Sequence, residues 1–442
     1  MALVSSPATS ASRRASLPEG TIPVGIALLV AGFATYAFFK IGKIALGGDA
    51  EFQPISSLWF AVFALAPGFF LPLEQELGRA LSYRRALQQG GQPVVGRVVR
   101  LAIAIVILVL IAILGLSALI TRAYFDGDWW MLFALATGFV AYAPAHVARG
   151  ICSGSGRFRS YAVIIGSDGV VRIIACVILA LLGVTHTAPY AFLVALSPLA
   201  AVVAVGMRGQ LATDPGPPAP WNEVTQNLGW LLIGTVFSAA LLNAGPVAAK
   251  FLASDDQHAA VNQFAYGVLL ARIPLFLFQA VQAALLPRLA RLAARGDLDE
   301  FRAGLRRLLV LVAIIGVIGT VGALVLGAPI VNLVYGADLS GRTMAMLALS
   351  SAIYMGAIAT SQAVVALHGH AQVAFGWIFA VTAFLLALWL GSDEVFRRIE
   401  VALVISSVAA LASFTIALRW RLSIAQPAVG PVGPLPEMPL ET

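Results

Sequence analysis

The stretch that decides the fold is Arg272-Ile-Pro-Leu-Phe-Leu-Phe-Gln-Ala-Val-Gln-Ala-Ala-Leu-Leu-Pro287, followed by Arg288-Leu-Ala-Arg-Leu-Ala-Ala-Arg295, the acidic patch Asp297-Leu-Asp-Glu300, and Leu305-Arg-Arg-Leu308. It reads as the inner half of a membrane helix, a basic amphipathic segment on the cytoplasmic surface, and the start of the next helix. Arg272 lies in the apolar part, where a charge is expensive and marks a functional site by default. The same layout occurs once before. Pro67, Phe69, Gln75, Arg84, Ala86, Arg100 and Leu101 align without gaps on Pro274, Phe276, Gln282, Arg291, Ala293, Arg307 and Leu308. Ile107, Ile111, Gly115 and Leu119 then align on Ile314, Ile318, Gly322 and Leu326. Biased apolar composition supplies some of these identities, so the repeated order of proline, apolar run, basic segment and apolar run carries more weight. The chain is a tandem of two similar halves.

A chain of 442 residues that is 60% hydrophobic and 11% charged cannot hide that apolar surface in a soluble core, so it is an integral membrane protein. The net charge of +7 does not point to nucleic acid, because the basic residues fall at helix ends rather than in one patch. Cys152, in a short loop, and Cys176, in an apolar helix, are the only cysteines, and they imply neither a disulfide framework nor a metal site. Only Lys40, Lys43 and Lys250 of the 28 basic residues are lysines, a bias that suits a GC-rich bacterial genome. The apolar run after Arg13-Arg14 is too long for a cleaved signal and reads as an uncleaved first span.

Twelve runs are long enough to cross a bilayer, at about 21–46, 56–82, 98–121, 129–148, 160–182, 188–206, 227–250, 259–286, 308–328, 344–366, 372–390 and 399–419. Arginine asymmetry places both termini in the cytoplasm: with the N-terminus inside, the inner loops hold most of the basic residues, while the outer ones are short and carry Asp49, Glu51, Asp126, Asp128, Asp255 and Asp256. The expected architecture is therefore an all-α integral membrane protein of about twelve helices in two parallel six-helix repeats, with a cleft between them near the midplane. The chain divides into a cytoplasmic tail (1–20), an N lobe (21–206), a cytoplasmic linker (207–226) rich in proline, a C lobe (227–421) and a Pro-rich disordered tail (422–442). No loop can hold a catalytic domain, and no Walker-type glycine loop, zinc-binding His pair or nucleophile elbow occurs, so neither an enzyme nor a cofactor is expected. His368 and His370 flank Gly369 and read as a solvated cytoplasmic turn.

Seven ionisable residues fall inside the spans: Lys40, Glu74, Glu76, Arg79, Asp168, Arg172 and Arg272. By helical rise, Arg172 and Arg272 come out near the midplane. Glu76 and Arg79 are three apart and read as a structural pair. Asp168 and Arg172 are four apart and can pair as well, which leaves a structural role and a functional one open. Arg272 has no carboxylate within four residues, so it must face a water-filled cavity or a partner from another helix. Lys40 is a second free cation, although its stem could carry the ammonium to the outer surface. Pro67, Pro72, Pro246 and Pro274 are expected to interrupt and kink their helices, as rocking bundles need.

On these residues the chain resembles an O-antigen-type, lipid-linked oligosaccharide flippase of the multidrug/oligosaccharidyl-lipid/polysaccharide exporter superfamily, over roughly 20–420. The resemblance rests on Gln75-Glu-Leu-Gly-Arg79, on Arg149-Gly150 with Gly154, Gly156, Arg157 and Phe158, and on Arg272-Ile-Pro274 running to Leu285-Leu-Pro287. It implies two six-helix lobes that alternate between inward and outward openings in the bacterial inner membrane. The implied cargo is a polyprenyl-pyrophosphate-linked saccharide moved to the outer leaflet for cell-surface polysaccharide assembly. The partners it suggests are membrane lipids and a polysaccharide polymerase or glycosyltransferases. Related lipid II flippases have 14 helices, and this chain has room for 12, which sets it apart from them. The drug exporters of the superfamily carry a carboxylate in the first helix, where this chain has Lys40.

Cationic groups at mid-depth suit a pyrophosphate, whereas a cationic drug would want unpaired carboxylates. Arg272, Lys40 and Arg172 are therefore the candidate substrate-binding residues, and Glu74 and Asp168 the candidates for coupling. The membrane potential, at about 2.3 kcal/mol per charge per 100 mV, favours outward movement of an anion. Two further readings remain, a drug/cation antiporter that uses the carboxylates of the second and fifth spans, and a non-transporting scaffold in cell-wall assembly.

Overall fold

The computed structural model describes residues 21–424 except 255–256, 276–277, 279–288, 290–291 and 294. The expected N-terminal tail, the outer acids Asp255 and Asp256, the Leu285-Leu-Pro287 motif, and 425–442 of the expected C-terminal tail lie outside the described residues. All regular structure among the described residues is helical.

The N lobe consists of α1 (Thr21–Leu46), α2 (Asp49–Ala86), α3 (Gln92–Gly115), the short α4 (Ser117–Ala123), α5 (Trp129–Gly154), α6 (Phe158–Leu181) and α7 (Thr187–Met207). The C lobe repeats that order with α9 (Leu228–Leu252), α10 (His258–Ala271), α11 (Leu298–Gly322), a π-helical turn (Ala323–Gly327), the short α12 (Ala328–Tyr335), α13 (Gly341–Ala366), α14 (His370–Trp389) and α15 (Val395–Ile424). A single turn, α8 (Asn222–Thr225), ends the linker. Among the described residues, eleven helices are long and apolar enough to span a membrane. The remaining expected span, about 259–286, is described through α10 and only in part beyond it.

The two halves pack by one scheme. In the N lobe α1 lies on α6, α2 and α3 on α5, and α7 on α5 and α6. In the C lobe α9 lies on α14, α10 and α11 on α13, and α15 on α13 and α14. The lobes meet where α2 packs along α9 and against α10. Burial follows position, as it must when lipid replaces water around a helix bundle. α2 and α5 bury most of their length, whereas α3 buries only Val94, Val98, Ala102, Val109 and Ile113 and turns the rest outward.

Three expectations change. The second span is longer than hydropathy suggested, because its outer turns carry Asp49 and Glu51 and its inner turns Arg84 and Arg85, which lower the hydropathy of a helix that continues regardless. Pro54, Pro67 and Pro72 lie inside an unbroken α2, and Pro246 inside an unbroken α9; the expected interruptions at Pro67, Pro72 and Pro246 do not occur, and the carbonyls they vacate face donors on other helices. Cys152 is not in a loop. It sits in the last turns of α5, fully buried.

The arginine asymmetry still predicts which ends face out, and labelling tests it. In a protein freed of Cys152 and Cys176, a membrane-impermeant thiol reagent added to intact cells is expected to label Ser392→Cys, in the exposed turn between α14 and α15. It is expected to label Gln88→Cys, after α2, only once the membrane is permeabilised. The opposite pattern would invert the topology.

Candidate functional site

Arg272 caps the end of α10 and is 8% exposed. Its Nη1 donates to Asn243 Oδ1 at 3.1 Å, and its Nη2 donates to the Leu242 carbonyl, both on α9. The guanidinium lies over the Phe60 ring of α2, 5.7 Å from its centroid, within the range of a cation–π contact. Among the described residues no carboxylate pairs with it. Its other-helix partners are therefore neutral: a carbonyl, an amide and a ring. The cavity beside it has a volume of about 30 Å³ and is lined in part by Ser350, Ser351, Tyr354 and Ser407. That is room for about one or two waters, so a saccharide head reaches Arg272 only after the lobes separate.

Arg172 is placed differently. It is 2% exposed, its Nη2 reaches Asp168 Oδ1 at 2.6 Å, and its Nε donates to Ser197 Oγ at 3.1 Å. Ser197 Oγ donates in turn to the same Asp168 oxygen at 2.7 Å, and the guanidinium stacks over Trp59 at 4.6 Å. The four-residue spacing thus closes into a triad within the N lobe. Trp59 and Phe63 of α2 face Arg172, while Phe60 of the same helix faces Arg272, so an aromatic wall stands between the two cations.

Lys40 is half-buried and has no hydrogen bond or ion pair among the described residues. Its neighbour Lys43, which sequence reasoning passed over, is engaged. Its Nζ donates to Asp49 Oδ2 at 2.9 Å and to the Tyr335 carbonyl at 2.5 Å, and Tyr266 and Asn262 donate to Asp49 Oδ1 at 2.9 and 3.2 Å. With Lys250 Nζ at 2.6 Å from Asp126 Oδ2, these contacts fasten the lobes together at the expected outer end. At the other end Arg84 grips the linker, donating to both oxygens of Glu223 at 2.7 and 2.9 Å and to the Pro217 carbonyl at 2.8 Å.

Glu74 is 5% exposed and held from three sides. His146 Nδ1 and Arg149 Nε each lie 2.9 Å from Oε2, and Tyr161 Oη donates to Oε1 at 2.9 Å. Nothing in the sequence signals these partners, which come from α5 and α6. α2 and α5 cross closely enough to allow it, since a side chain at Gly154 would put its Cβ 2.8 Å from the Gly78 carbonyl oxygen. The motifs Gln75–Arg79 and Arg149–Gly154 are thus the two sides of one helix crossing. Glu76 pairs with Arg79 at 2.7 Å. Asp168 and Glu74, the coupling candidates, lie in the same lobe but have separate direct partners.

A family model described as lipid II flippase MurJ matches residues 170–429. The chain belongs to the MurJ family. Both Arg172 and Arg272 fall within the matched segment, and Lys40 and Glu74 precede it. The helix count that set this chain apart from the lipid II flippases does not exclude it from their family, and that expectation is corrected by the match. Solved structures share the fold. A Vibrio cholerae MATE transporter, a mutant form of VcmN, is 14% identical with a TM-score of 0.66, covering 91% of this chain and 96% of that one. An inward-facing multidrug resistance MATE transporter of the MOP superfamily is 12% identical with a TM-score of 0.66, covering 90% and 95%. A MOP superfamily transporter from Pyrococcus furiosus, described as having a binding pocket of reversed polarity, is 14% identical with a TM-score of 0.64, covering 91% and 95%. By sequence, no curated protein matches significantly. This MurJ-family protein is a multi-pass membrane transporter with a MATE-like fold, and not an enzyme.

Proposed function

We propose that the protein is an alternating-access flippase that carries a polyprenyl-pyrophosphate-linked saccharide from the inner to the outer leaflet of the bacterial cytoplasmic membrane. One observation carries the reading: Arg272 is a buried guanidinium at the junction of the lobes whose partners among the described residues are all neutral. An arginine so placed can exchange a carbonyl and an amide oxygen for the oxygens of a pyrophosphate and gain a counter-charge in doing so. Lipid II, the cargo of the family, belongs to the same class of lipid-linked precursor. Lys40 of α1, without a partner among the described residues, is the second cation we assign to the cargo. We assign Arg172, held in its triad with Asp168 and Ser197, a structural role instead.

The lipid tail needs an apolar path beside the cleft. A cavity of about 620 Å³ lies between α2, α4, α9 and α14, walled by residues such as Ala64, Leu65, Ala244, Val247 and Phe384. It offers surface against which an isoprenoid chain loses nothing relative to lipid. A cationic drug would instead need an unpaired carboxylate, and Glu74, Glu76 and Asp168 each already have cationic partners, which disfavours the antiporter.

The test is flipping of a fluorescent polyprenyl-pyrophosphate saccharide in liposomes. Protein-dependent movement of that lipid, and no movement of a neutral polyprenyl glycoside, is the expected result; equal movement of both would remove the pyrophosphate from the reading. The saturated carboxylates also predict the driving force. An imposed potential, negative inside, is expected to speed outward movement by up to about tenfold per net charge per 60 mV, with no pH gradient present. A rate that follows only a proton gradient would return Glu74 and Asp168 to the coupling role.

A further inference from the structure

A proline in a helix removes the hydrogen bond to the carbonyl four residues earlier. In α2, Pro67 vacates the carbonyl of Phe63 and Pro72 that of Gly68; in α9, Pro246 vacates that of Leu242. In an apolar setting each such oxygen needs a new donor. Each has one, and each comes from another helix. Asn243 Nδ2 of α9 donates to Phe63 O at 3.1 Å, Arg272 donates to Leu242 O, and Thr235 Oγ1 of α9 lies 2.7 Å from Gly68 O, sharing its one proton with Leu231 O at 2.8 Å. Among the described residues no side chain donates to the carbonyls vacated by Pro54, Pro144 or Pro198. The replaced bonds are thus gathered at the α2–α9 seam and the Arg272 junction, whereas the helices also run on through Pro54, Pro144 and Pro198, where no side chain supplies one.

The lobes also come close at this seam. A side chain at Gly68 would bring its Cβ to 2.8 Å from the Val236 Cα, so α2 and α9 touch backbone to backbone. Asn243 stands in the middle of this arrangement. Its Nδ2 also donates to Ala239 O at 2.9 Å. Two carbonyls on one side fix the amide with its nitrogen toward them, which leaves Oδ1 facing the guanidinium of Arg272.

We propose that Asn243 is the positioning residue that couples Arg272 to the N lobe: one end of its amide holds the Phe63 carbonyl across the seam, and the other aims the cargo-binding guanidinium. This rests on the reading of Arg272 given above. When an anion takes Arg272, Asn243 Oδ1 loses its donor and the amide is held from its Nδ2 end alone. The bond across the seam then weakens, and the lobes can swing. Thr235, with its bond to Gly68 O, keeps the axis in place.

The test uses the full-length protein in nanodiscs, without Cys152 and Cys176, and with spin labels at Leu116→Cys and Ser392→Cys on the outer ends of the two lobes. Pro67→Ala restores an N–H for the Phe63 carbonyl, so it separates a stabilising role of Asn243 from a coupling one. Asn243→Leu is expected to lower the melting temperature and widen the ligand-free distance distribution. Adding Pro67→Ala is expected to recover the melting temperature but to leave the distribution wider than in Pro67→Ala alone. The double variant should also bind undecaprenyl pyrophosphate about tenfold more tightly than Pro67→Ala, because the hydrogen bond to a charged group that the cargo must displace is already gone. A double variant with the distance distribution of Pro67→Ala would overturn the proposal, because Asn243 would then do no more than fill a carbonyl. The cargo reading is judged separately. If Arg272→Ala binds undecaprenyl pyrophosphate as tightly as the wild type, that reading fails, while the ligand-free distances still decide the link between lobes.

Discussion

Arg272→Ala is expected to abolish flipping in liposomes while the protein still inserts. Truncating one partner of a buried charge contact costs about 2–5 kcal/mol, which is about thirtyfold or more in affinity for the pyrophosphate. Part of the effect is structural, since the Leu242 carbonyl loses its donor as well, and an unsatisfied buried carbonyl costs about 1–3 kcal/mol. Rates must therefore be normalised to folded protein, and Arg272→Gln serves as the control. Glutamine can still donate to a neighbouring carbonyl but carries no charge, so it should restore much of the stability and none of the transport. Arg272→Lys should insert well and flip slowly, because an ammonium cannot reproduce the paired hydrogen bonds of a guanidinium. If Arg272→Ala flips at the wild-type rate, the cargo's charge is met elsewhere, and Lys40 becomes the first residue to test.

The features that could be read from the sequence are local. Spans could be read because each helix must satisfy its own backbone and show apolar side chains to lipid, which leaves a long run in the sequence. Asp168 with Arg172, and Glu76 with Arg79, could be read because three- and four-residue spacings put both groups on one helix face. The site was less legible because its contacts cross between helices. Glu74 meets His146, Arg149 and Tyr161, from 72 to 87 residues later in the chain, and no periodicity announces such a meeting. Lys43 and Asp49 are six apart and meet only because the chain turns back at Gly47 and Gly48, both at positive φ. Arg272 was legible as a charge without a local partner, but its real neighbours were not. A signal for them existed: Pro246 vacates the Leu242 carbonyl, which is then open to a donor from another helix. Counting back four residues from Pro67, Pro72 and Pro246 names Phe63, Gly68 and Leu242, three oxygens at the lobe junction.

The Asp168–Arg172 pair gives the other large effect, and its direction separates structure from transport. Both charges are satisfied within the N lobe by each other and by Ser197, with Trp59 stacked on the guanidinium. Arg172→Met strands a carboxylate, and Asp168→Asn strands a guanidinium. Breaking a buried pair from one side costs about 3–5 kcal/mol, because the remaining charge has lost its partner. Each single variant is therefore expected to melt well below the wild type and to yield little folded protein. The double variant, Asp168→Asn with Arg172→Met, removes both charges and keeps a flexible apolar side chain against Trp59. It should recover most of the melting temperature, since replacing a buried pair with well-packed neutral groups is often neutral or stabilising. Its flipping rate per folded molecule should then approach that of the wild type, because the aromatic wall of α2 separates this triad from Arg272. A double variant that is stable and inserted yet transports as poorly as the single ones would place the pair on the path of the cargo or of a coupling ion, and would return Arg172 to the binding site.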